Sequence, residues 1–94
     1  MPDGIRRSCV VIGRVQGVGF RAFVLSHATR RGLTGRVRNG ADGRSVEITV
    51  EGPAGHVEEF LAAIEHGPPL SHVEAVRTAS LDGPARYRTF EIER

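Results

Sequence analysis

Between Arg7 and Gly13 the chain reads RSCVVIG, where apolar, largely β-branched residues follow one another without polar alternation. Such a run predicts a central strand. The period then changes. Around AFVLSHATRR, Ala22 to Arg31, the residues Phe20, Val24, His27/Ala28 and Arg31 fall along one side, with Phe23 beside them. That is helical spacing, and Gly32 supplies the stop. GRVRN, Gly35 to Asn39, predicts a short strand, and GADGRS after it is turn chemistry. VEITV, Val46 to Val50, alternates cleanly, with Val46, Ile48 and Val50 inward and Glu47 and Thr49 toward water. Together the two strands predict a hairpin.

The segment GPAGHVEEFLAAIEHGPP carries the clearest helix. Pro53 suits a first turn, Val57, Phe60, Leu61 and Ile64 repeat at i, i+3, i+4 and i+7, and Gly67-Pro68-Pro69 ends it. HVEAVRTAS and RYRTFEIE complete the elements as strands, the second with Phe90 and Ile92 on one side. The order is β-α-β-β-α-β, with a further short strand expected to pair near residues 74 to 80. In 94 residues it predicts an α+β ferredoxin-like sandwich, an antiparallel sheet with two helices on one face. No repeat, low-complexity tract or linker interrupts it, so residues 1–94 are expected to form a single domain with its core over about residues 7–93. That fold serves many unrelated functions, and function must be read from a site.

Composition narrows the classes. A hydrophobic fraction of 39% suffices for one core and leaves nothing for a large internal cavity. Runs such as CVVI are too short to span a bilayer, and MPDGIRRS lacks the apolar stretch of a signal peptide. A cytoplasmic protein with no membrane partner is therefore expected. The single cysteine, Cys9, permits no internal disulfide, fits a reducing compartment, and reads as a small buried hydrophobe within its strand. Thirteen Lys+Arg against eleven Asp+Glu is too even a balance to indicate nucleic acid. The gathering of Arg6, Arg7, Arg14, Arg21, Arg30, Arg31, Arg36 and Arg38 in the first half nevertheless suggests an anionic partner there. An RNA-recognition module shares the element order but needs exposed aromatics on its third strand, and VEITV has none. His27, His56, His66 and His72 show no metal-ligand spacing with Cys or Asp, so neither a metal nor another cofactor is expected. No apolar partner surface is evident, and a monomer is the expectation.

The chemistry concentrates in GRVQGVGFR, Gly13 to Arg21, where three glycines stand between a strand and a helix. GVGFRA formally matches the dinucleotide pattern G-x-G-x-x-A, but Arg38-Asn39 stands where a ribose-binding acid would be needed, and the chain is too short for a doubly wound sheet. No Gly-Lys-Ser/Thr follows, which excludes a Walker loop. What remains is shared physics: glycines let successive N–H groups converge on an anion, and the next helix adds its unpaired N–H groups and partial positive charge. Arg21 in that helix's first turn is disfavoured by about 0.3–1 kcal/mol unless an anion sits between it and the amides. Its fork can take two phosphate oxygens at once, or it can simply point into solvent. Asn39, at the end of the second strand, reads either as hairpin chemistry or as an amide that holds a water by donor and acceptor together.

GRVQGVGFR, GLTGRVRN, VEITVEG, HGPP and FEI, in this order and spacing, resemble the acylphosphatase family over about residues 7–93. The resemblance implies a small ferredoxin-like enzyme that hydrolyses the carboxyl-phosphate anhydride without a metal. By it, the amides of Gln16, Gly17, Val18, Gly19 and Phe20 with the Arg21 side chain would cradle the phosphate, or a sulfate-like anion, and Asn39 would position the attacking water. Arg36 stands where many members carry a tryptophan, and GADGRSVE is one residue longer than the common DGxVE form, an insertion expected to lengthen or bulge the hairpin tip. GFRAFV with HGPPLSHVEAV is also similar to the first domain of hydrogenase-maturation carbamoyltransferases, which would act on carbamoyl phosphate. The initiating Met and the end at the last expected strand favour a stand-alone enzyme. A relic that binds phosphate without turnover is the third reading.

Overall fold

The computed structural model describes residues 4–94. Seven elements follow the expected order: β1 (Gly4–Arg14), α1 (Phe20–Arg30), β2 (Thr34–Asn39), β3 (Ser45–Pro53), α2 (Ala54–His66), β4 (His72–Ser80) and β5 (Phe90–Ile92). The strands lie in the order β4-β1-β3-β2-β5. Both helices cover one face. Cys9 and Val11 of β1, Val37 of β2 and Val46, Ile48 and Val50 of β3 meet Phe20, Val24 and Ala28 of α1 and Val57, Phe60 and Ile64 of α2. None of these is more than 3% exposed, and each larger one stabilises the fold by roughly 1.5–3 kcal/mol.

β1 is interior to the sheet, as expected, with Val10 and Ile12 alternating with the buried Cys9 and Val11 and half-buried on the open side. Two helices supply one covering layer, so a continuous apolar run here still has a wet face. The sheet is mixed rather than antiparallel throughout. The seams β1–β3, β1–β4 and β2–β3 are antiparallel, and β2–β5 is parallel, Gly35↔Phe90 to Val37↔Ile92. β4 runs against β2, and the segment after it turns the chain back once while crossing to the far edge, so β5 arrives running with β2.

The last strand is also shorter than RYRTFEIE suggested. The N–H groups of Arg86 and Tyr87 donate to the Glu51 carboxylate at 2.9–3.0 Å instead of to a neighbouring strand. Glu51 is only 1% exposed and takes a further bond from Arg6 Nε at 2.8 Å. A buried acid thus pins the last connection across the sheet. Burial raises its pKa, but the Arg6 hydrogen bond and the two amides outweigh that and hold it below the ordinary carboxylate range.

One position on the β2–β3 seam has room only for glycine. A Cβ on Gly35, at φ 144°, would stand 1.9 Å from the Thr49 carbonyl oxygen. The close seam sets β2 in register from Thr34↔Glu51 to Asn39↔Val46 without a shift, so the longer connection lies in the hairpin tip and not in a bulge. There Asp42 Oδ1 accepts from Arg44 N–H and Ser45 Oγ, both at 2.9 Å. These bonds, the amide's first, hold its carboxyl below the usual range.

Candidate active site

The short loop between β1 and α1, residues 15–19, turns on two glycines. Gly17 has φ 74° and Gly19, the N-cap, has φ 80° and ψ 17°. This is the left-handed region, which costs other residues about 1–2 kcal/mol each. No heavy atom lies within 4 Å of where either Cβ would stand, so the demand is conformational and not steric. The first turn of α1 closes with Phe23 N–H donating to Gly19 C=O at 3.0 Å. Among the described residues, the amides from Gly17 to Ala22 donate to no main-chain carbonyl. The first turn holds no acidic residue, and Arg21 is in it. The helix end therefore keeps its partial positive charge, with a guanidinium added.

The loop is tied to the hairpin. Gln16 Nε2 donates to the carbonyl oxygens of Gly40, at 3.0 Å, and Ser45, at 2.8 Å. Gly40 N–H donates to the same Ser45 oxygen at 2.8 Å. Asn39 immediately precedes this junction. Its Oδ1 is buried and has no hydrogen-bond partner among the described residues. A buried acceptor left unpaired costs about 1–3 kcal/mol, and it marks a place where a donor such as water belongs.

These parts enclose a cavity of about 180 Å³. Gly17, Gly19, Phe20, Arg21 and Ala22 line one side, and Asn39, Ile92 and Arg94 the other. Among the described residues, no Asp or Glu is in the lining. Of the residues singled out from sequence, Gly17, Gly19, Phe20, Arg21 and Asn39 come together here. Gln16 and Val18 are outside the lining: the side chain of Gln16 is the tether to the hairpin, and Val18 packs against the core. Arg94 was missed. The alternation of Phe90, Ile92 and Arg94 could have revealed it, but only with β5 placed beside β2. Arg36 lies on the open face, its Nη1 3.1 Å from Glu93 Oε1, and takes no part in the cavity.

A larger hollow of about 610 Å³ lies at the opposite end of β1, where its main charged groups, Arg6 and Glu51, are already bonded to each other. Among the described residues, no three His, Cys, Asp or Glu side chains gather as a metal site. The Cys9 thiol is pushed up to about 11 by burial and by Glu65, which makes it a poor nucleophile. The small cavity thus offers unpaired amides, a guanidinium and a carboxamide, a set suited to holding an anion and a water.

The family model Acylphosphatase matches residues 7–92. The acylphosphatase of Caldivirga maquilingensis is 45% identical over 92 residues, which is 98% of this chain and 97% of that protein. The crystal structure of acylphosphatase from Bacillus subtilis is similar with a TM-score of 0.90 at 39% identity, over 96% of this chain and 99% of that one. Full-length HypF in its phosphate- and nucleotide-bound form is similar at a TM-score of 0.84 and 30% identity, over 97% of this chain but only 12% of that one.

Proposed function

The chain belongs to the acylphosphatase family, and from that premise we propose how this cavity hydrolyses acyl phosphates. The amides of Gly17 to Phe20 and the Arg21 guanidinium hold the phosphoryl oxygens, and Gln16 braces the loop that carries them. The Asn39 carboxamide accepts a hydrogen bond from the attacking water through Oδ1. The water oxygen bonds to phosphorus as the bridging P–O bond breaks, and the carboxylate leaves with the bonding electron pair. The water's proton passes to the phosphate product and solvent. The observation that carries this reading is the buried, unpaired Asn39 Oδ1 on a cavity that Arg21 also lines.

The chemistry matches so small a set of groups. A leaving carboxylate, whose conjugate acid has a pKa of about 4, needs no general acid. A loose phosphoryl transition state asks chiefly for position and charge neutralisation. The same cavity is poorly equipped for phosphate monoesters, whose alkoxides leave only with help. Benzoyl phosphate should therefore be hydrolysed in EDTA at an undiminished rate, with p-nitrophenyl phosphate turned over far more slowly, and Arg21→Ala should abolish both inorganic phosphate binding and turnover. Activity lost on chelation, or retained in Arg21→Ala, would contradict the assignment.

This chain matches only 12% of full-length HypF, and hydrolysis of benzoyl phosphate measured against carbamoyl phosphate tests that second substrate directly. A cytoplasmic monomer is the matching assembly. It is supported by the single cysteine, by the lack among the described residues of a helix long and apolar enough to cross a membrane, and by Leu70 being the one large apolar side chain described as exposed.

A further inference from the structure

We infer that Arg94 is a specificity residue, and that the cavity prefers acyl phosphates whose acyl half carries a second anionic group. The inference rests on the phosphoryl site assigned above and concerns what lies beyond it. β5 pairs with β2 in parallel, and Glu93 N–H donates to Val37 C=O at 2.8 Å, which carries the pairing one step past the strand. The same register continued sets Arg94 beside Asn39. The alternation from the buried Phe90 through Ile92 sets it on the helix-facing side, and it lines the cavity with Arg21.

Neither Arg21 nor Arg94 has an ion-pair partner among the described residues, whereas Arg6, Arg36, Arg38 and Arg44 each hold a carboxylate within 3.1 Å. Glu93, the acid nearest in sequence, is taken by Arg36 on the open face. One phosphoryl group satisfied by the loop, Arg21 and Asn39 leaves Arg94 without a ligand. Val15 and Phe20 in the walls are each only 1% exposed, so the apolar surface offered to an acyl chain is that of Ala22 and Ile92. Arg94 is itself exposed, and a guanidinium fork fits a carboxylate or a phosphate-like group.

The test compares butyryl phosphate with succinyl phosphate, in which a carboxylate replaces the methyl group, and with 3-phosphonopropionyl phosphate, which ends in a phosphonate. Wild-type kcat/KM should favour at least one charged substrate by about fivefold, the range of an exposed ion pair. The two charged arms identify which anion is read. Arg94→Gln should bring the ratio to about one, Arg94→Lys should keep part of it, and 1 M salt, with a screening length of about 3 Å, should erase it. Equal wild-type rates on all three substrates, or a preference that survives Arg94→Gln, would overturn the role of Arg94 alone. Failure of the phosphoryl site itself looks different: Arg21→Ala would then still hydrolyse butyryl phosphate.

Discussion

Arg21, at the start of α1, and Asn39, at the end of β2, line the same small cavity, and neither side chain is spent on a partner among the described residues. Arg21 has no carboxylate among the described residues, and the Asn39 oxygen has no donor. The buried Asn39 oxygen left without a donor costs stability that a bound water would return, and a bound anion would give the Arg21 guanidinium a counter-charge. The pairing depends on the Gln16 tether, which holds the loop against the hairpin that carries Asn39.

Asn39→Ala separates the two roles. It should lower kcat on benzoyl phosphate by about 10²–10³, the usual loss when one positioned polar group is removed. The inhibition constant of inorganic phosphate should move by no more than about twofold, since no part of the phosphate cradle is changed. Steady-state kinetics with phosphate as inhibitor reads both, and a lost phosphate affinity would reverse the assignment.

Gly19→Ala should destabilise by about 1–2 kcal/mol, the cost of placing a side chain in the left-handed region. There is open space for the methyl group, so the protein should fold and lose activity through loop strain. Gly35→Ala should be worse, because its Cβ meets the Thr49 carbonyl and the β2–β3 seam must open. Urea denaturation of the two variants orders them.

Glu51 sets a pH dependence of stability. Its folded pKa lies below the ordinary value, so its contribution is full above about pH 4.3, the unfolded glutamate value, and drains away as pH falls through the folded value. Glu51→Gln should cost about 2–4 kcal/mol at pH 7, since Arg6 and two amides lose a charged acceptor. The gap between wild type and variant should narrow in acid. Urea midpoints at pH 7, 4 and 3 give the comparison, and a gap that does not change with pH would remove Glu51 as the cause.

Cys9 should be inert while the protein is folded. With its pKa near 11, about one thiol in a thousand is ionised at pH 8, and burial blocks access as well. Iodoacetamide should label it only after denaturant is added. Fast labelling of the native protein would mean that β1 opens locally.

The element order, the helix stripes and the glycine loop were all legible in the chain, because periodicity and turn chemistry are local properties. Residues 16–21 and 39 could be singled out for the same reason: glycines before a helix and an amide after a strand carry their meaning in a few neighbours. Local pattern could not show that β5 runs parallel to β2, since strand direction at an edge depends on where the preceding connection crosses. Nor could it show that Glu51 is buried, because the groups that pair with it, Arg6, Arg86 and Tyr87, come from distant parts of the chain.

By itself, then, the sequence determined which residues could bind an anion and hold a water, for these are matters of side-chain chemistry and backbone freedom. Only the tertiary structure decided which of them share one cavity, drew Gln16 away to the hairpin, and brought Arg94 in beside Asn39. The reason is that strand register places side chains by long-range pairing, and pairing is settled by the whole sheet at once.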